Sequence, residues 1–186
     1  MIQKFNKHKT FFSILLVLVI ILIAYGQTLQ MYFFQDDSAV IFKLQHIDGP
    51  AGFFGAGPLG YCAYKYTITL FILFFRLFGL NPVGYFFIAV LLYMLSAISI
   101  FLFTNKLFEE KKVAFFITLI FASGYVASNS MIKISNAWHT NIAIILTLLS
   151  LLFYTKFLKE EKREFKKIRF YFLSFIFFVS SIEFVF

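Results

Sequence analysis

Nine acidic residues occur in this 186-residue chain, and two of them stand side by side as Asp36-Asp37, just past the first long apolar run. A carboxylate pair in that place has two chemical uses. One carboxylate within hydrogen-bonding distance of a hydroxyl can remove its proton as a general base. Two together can share a divalent cation such as Mg or Mn. The plainer alternative is that the acids only mark the water boundary at the end of a hydrophobic segment. Other groups are placed to join them. Lys65 follows in the same polar stretch and brings a positive charge. Trp138, His139 and Asn141 belong to a second polar segment, Asn129–Asn141, and could border the same cavity. The alternative for that segment is an interfacial belt, with the tryptophan at headgroup depth and amides capping helix ends. His46 and Asp48 show no ligand spacing with the acidic pair, so no metal ligand set is assigned. Glu183 is a candidate by position, because an acid within an apolar run is costly unless it faces a cavity or a partner.

The elements that must position these groups are membrane helices. The chain is 61% hydrophobic, 22% aromatic and only 14% charged, too little polar surface for a soluble domain of this size. At roughly 20 residues per crossing, there is room for about five spans and modest loops. The formal charge of +8 does not point to nucleic acid, because the basic residues gather at span ends, where they set topology and meet anionic headgroups. Cys62 is the single cysteine, which excludes an internal disulfide and a cysteine-based metal cluster. Neither a nucleotide-binding glycine loop nor a serine-hydrolase elbow occurs in the sequence.

We therefore read an all-α, polytopic helix bundle. Spans are expected near Thr10–Thr28, Val83–Phe103, Val113–Ser128, Ala137–Phe157 and Phe170–Phe186. Tyr66–Leu80 is apolar as well, but its 15 residues reach only about 22 Å, short of a hydrocarbon core of roughly 30 Å. Charge decides how it is placed. If it does not span, the basic clusters Lys4–Lys9, Lys106–Lys112 and Lys156–Arg169 all fall on one side of the membrane, together holding 13 of the 17 Lys and Arg. We read it as an interfacial or re-entrant helix in the first outer loop. The N-terminus is then cytoplasmic and Asp36-Asp37 face outward, in a multi-pass protein of the cell membrane. The final apolar run reaches Phe186 with no polar tail, as expected of the N-terminal part of a longer protein.

The order of elements in the first half resembles the GT-C glycosyltransferases, polytopic enzymes that use polyprenyl-phosphate-linked sugars. Within them it is most similar to the protein-mannosyltransferase and aminoarabinose-transferase type. The matching residues are Asp36-Asp37, Pro58-Leu59, Leu77-Phe78-Gly79-Leu80-Asn81-Pro82 and the basic loop Lys106–Lys112. Gly57 stands where the family has a basic residue or histidine before Pro-Leu. The resemblance implies transfer of a sugar from polyprenyl phosphate to a lipid, glycan or protein acceptor on the non-cytoplasmic face. It implies Asp36 or Asp37 as general base, the other as its helper, and Lys65 as the contact for the departing phosphate. The competing reading is a non-enzymatic membrane protein, such as a transporter or flippase half or an assembly subunit, whose outer acids bind a cation or a partner.

Overall fold

The computed structural model describes residues 2–34, 36–44, 65–124, 131–159 and 164–185. Among them there is no strand. The helices are α1 (Ile2–Tyr25), α2 (Asp36–Leu44), α3 (Lys65–Phe78), α4 (Pro82–Phe108), α5 (Lys111–Ser123), α6 (Ile134–Lys159) and α7 (Glu164–Val185), with a 3-10 turn over Gly26–Gln30. Three segments are long and apolar enough to cross a membrane, namely Thr10–Gln30, Pro82–Phe108 and Ile134–Leu158.

The other two expected crossings come out differently. α5 ends at Ser123, and at 13 residues it is about 20 Å long; residues 125–128 of the expected span lie outside the described residues. α7 starts at Glu164, ahead of the apolar run expected from Phe170, so its first turns carry Lys166, Lys167 and Arg169. Beyond these charges the described apolar part of α7 runs from Phe170 to Val185, about 24 Å.

α4 is the central element, touching α1, α3, α5 and α6. The sequence explains why. Tyr85, Ala89, Tyr93 and Ala97 repeat every four residues and form one buried face, with Phe86 and Val90 beside them. Large and small side chains alternate along that face, so neighbouring helices approach closely at the alanines and pack around the rings. Val17, Ile21 and Tyr25 of α1, Ile41 of α2, Phe71 of α3, Ala122 of α5, and Ala137 and Trp138 of α6 also belong to the core. Away from it, Phe11, Phe12, Leu16 and Ile23 on α1 and Phe172, Phe175 and Phe178 on α7 are exposed, as suits a lipid-facing exterior.

The turn between α3 and α4 is fixed by local chemistry. Gly79 adopts φ +56°, a left-handed conformation that ends α3. Asn81 then accepts the Val83 amide at 3.1 Å, and Pro82 opens α4. The Tyr85 hydroxyl donates to the Gly79 carbonyl at 2.8 Å. Phe78 folds over Gly84 so closely that a Cβ there would lie 2.4 Å from its ring. Hence Tyr66–Leu80 is a helix as expected, but it stops at Phe78 because the backbone reverses at Gly79. α6 and α7 form the most extensive helix pair, joined at mid-length by Ser150 Oγ donating to the Ser174 carbonyl at 2.8 Å.

Candidate functional site

Asp37 is the second residue of α2 and only 1% exposed. Its carboxylate reaches the start of α6, almost a hundred residues further along the chain. Oδ2 accepts the Ile134 amide at 2.6 Å and Oδ1 the Ser135 amide at 3.1 Å. The first amides of a helix have no partner within it, and the helix dipole places partial positive charge there. A carboxylate supplied from another segment meets both needs. Asp37 is thus a tertiary N-cap.

The hydrogen bonding continues beyond the carboxylate. Ser135 gives its N–H to Asp37, and its carbonyl meets His139 Nδ1 at 2.7 Å. A carbonyl only accepts, so Nδ1 carries a proton and is the donor. The imidazole is half-buried. Asp37, Ser135 and His139 therefore form one linked series at the N-terminal end of α6.

Trp138 is fully buried one turn into α6. Its ring lies 4.8 Å from Phe71 and 5.0 Å from Phe74 of α3, and stacks on Tyr85 of α4 at 6.0 Å. Aromatic contacts of this kind bind the short helix α3 to the α4–α6 pair. Nε1 of Trp138 has no hydrogen-bond acceptor among the described residues. Asn141 is buried on the side facing α4. Its Nδ2 donates to the Ala137 carbonyl at 2.7 Å, while its backbone carbonyl accepts from Ser96 Oγ at 3.2 Å.

The expected site residues thus separate into distinct roles. Asp37 and His139 are brought together through Ser135; Trp138 and Asn141 lie in the packing between helices. Asp36 and Lys65 are the first residues of α2 and α3, and their side chains lie outside the described atoms, as does that of Glu183. His46 and Asp48 lie outside the described residues. Sequence reasoning missed the Ile134 and Ser135 amides and the role of Phe71 and Tyr85. The only signal toward the amides was the polar stretch Asn129–Asn141 at a helix start, where capping was expected.

No family model matches the chain, and no curated protein or solved structure is significantly similar to it.

Proposed function

We propose that this chain is the N-terminal part of a GT-C-like membrane glycosyltransferase, acting on a polyprenyl-phosphate sugar at the non-cytoplasmic face. The observation that supports this best is the anchoring of Asp37 by two amides of α6; in this reading Asp37 is the helper and Asp36 the general base. Successive residues of a helix project about 100° apart, so fixing Asp37 does not consume its neighbour. His139 shares the same hydrogen-bonded series and is assigned, with Lys65, to the donor phosphate. Trp138 and Asn141 hold the α6 wall against α3 and α4.

In this reading the expected crossings at Val113–Ser128 and Phe170–Phe186 bring the number of spans to five. α3 lies in the outer loop, and the three basic clusters face the cytoplasm. Each oxygen of Asp37 accepts one amide, and among the described residues no group of three His, Cys, Asp or Glu occurs to hold a divalent cation. No step is routed through Mg or Mn.

The same occupancy of Asp37 favours a second reading, in which the pair is purely structural and the protein binds or assembles without catalysis. Sugar transfer from a labelled polyprenyl-phosphate pool, in membranes containing the longer parent protein expected from the sequence, separates the two. Asp36→Asn is expected to lower transfer by about 10²–10⁴-fold with normal membrane insertion. Full transfer by both Asp36→Asn and Asp37→Asn would remove the acidic pair from catalysis, and absence of transfer by the wild type would favour the structural reading.

A further inference from the structure

The α6–α7 hairpin presents a second feature, unrelated to the acidic pair. Between Lys156 and Arg169 the chain carries seven basic residues against Glu160, Glu161 and Glu164. Among those described, Lys156 on α6 and Lys166, Lys167 and Arg169 on α7 are exposed. Two of these ammonium groups are held across the hairpin by rings. Lys156 Nζ lies 5.1 Å from the ring centre of Phe153 on its own helix and 5.8 Å from that of Phe170 on α7. Lys167 Nζ on α7 lies 5.3 Å from the ring centre of Phe157 on α6. The rings brace one another, with Phe153 against Phe170 at 6.3 Å and Phe157 against Tyr171 at 5.5 Å.

A ring face attracts an ammonium through its quadrupole without cancelling the charge, as a carboxylate would. Among the described residues neither lysine has a carboxylate partner. Each therefore keeps N–H donors for an external anion while its position is restricted. Exposed Phe165, Ile168 and Phe172 set apolar surface beside these cations. Positive charge next to apolar side chains at a helix end complements a lipid with an anionic phosphate and acyl chains. The α4–α5 turn is a natural contrast, because there three lysines face two glutamates, Glu109 and Glu110, a far smaller basic excess than seven against three.

We propose that the α6–α7 hairpin binds the phosphate of an anionic phospholipid between Lys156 and Lys167, with Lys166 and Arg169 adding to the surrounding field. The test uses the full chain in phosphatidylcholine vesicles, with spin-labelled phosphatidylglycerol or phosphatidylcholine as the probe. The ratio of motionally restricted probe gives the selectivity. The wild type is expected to prefer phosphatidylglycerol, and the pair Lys156→Gln and Lys167→Gln to reduce that preference roughly fivefold. Lys106→Gln with Lys112→Gln is expected to leave most of it. Phe153→Leu with Phe157→Leu keeps every charge but removes two platforms, and is expected to weaken the preference as well. Helical content by circular dichroism checks that each variant is folded. No preference in the wild type would overturn the site. So would equal losses in the two lysine pairs, or full selectivity in the phenylalanine variant, since either means diffuse charge alone.

Discussion

The two ends of α6, about 38 Å apart along its 26 residues, handle charge in opposite ways. At the N-terminal end, the buried Asp37 carboxylate joins two segments 97 residues apart. At the C-terminal end, Lys156 stays exposed and rests on aromatic rings, within a hairpin whose contacts are local in sequence. Both signs agree with the helix dipole, which favours an acid at the first turn and a base at the last. The difference lies in burial. A buried charge must be fully hydrogen-bonded, so its position dictates the tertiary structure around it. An exposed charge remains solvated and is available to lipid or to a partner.

Substitutions at the two ends can break or sharpen that contrast. The largest effect is expected from Trp138→Ala near the N-terminal end. It empties a space shared with Phe71, Phe74 and Tyr85 and should cost about 3–5 kcal/mol, read as thermal loss of circular dichroism in detergent. Next comes Asp37→Ala, which strips the α6 amides of their acceptors. A loss of about 3 kcal/mol is expected, with a smaller one for Asp37→Asn, whose carbonyl still accepts. Because Trp138 is the single tryptophan, its fluorescence reports directly on this region in both Asp37 variants. An unchanged emission and melting curve in Asp37→Ala would mean the cap does not hold α2 to α6. The smallest effect is expected in the α6–α7 hairpin, where Ser150→Ala removes one buried interhelical bond and should cost about 0.6 kcal/mol. A loss there as large as that of Asp37→Ala would erase the distinction between a long-range tether and a local pair.

Much of the helical layout was legible because its signals are local. Gly79-Leu80-Asn81-Pro82 carries a left-handed stop, an N-cap and a first-turn proline within four residues, and the chain turns there. The apolar runs behind α1, α4 and α6 needed only length and composition to be recognised. The site was less legible. Asp37 drew attention through its chemistry, but nothing in the sequence indicated that its partners would be the amides of Ile134 and Ser135. Likewise nothing in the sequence indicated that Trp138 would be buried against Phe71 of α3. Backbone amides are the same at every position, so a pattern search cannot single them out.

What the sequence determined by itself was the class of molecule and its elements: an all-helical chain, apolar enough for membranes, with its basic residues gathered in three clusters. Those properties follow from composition and from periodicities of a few residues. Only the tertiary structure decided which side chain meets which helix end. Asp37, Trp138 and Asn141 become a cap, a packing centre and an interhelical contact because α4 brings α3 and α6 together around its face of alternating tyrosine and alanine. Long-range contacts depend on how whole helix surfaces fit, and no short stretch of sequence contains both partners.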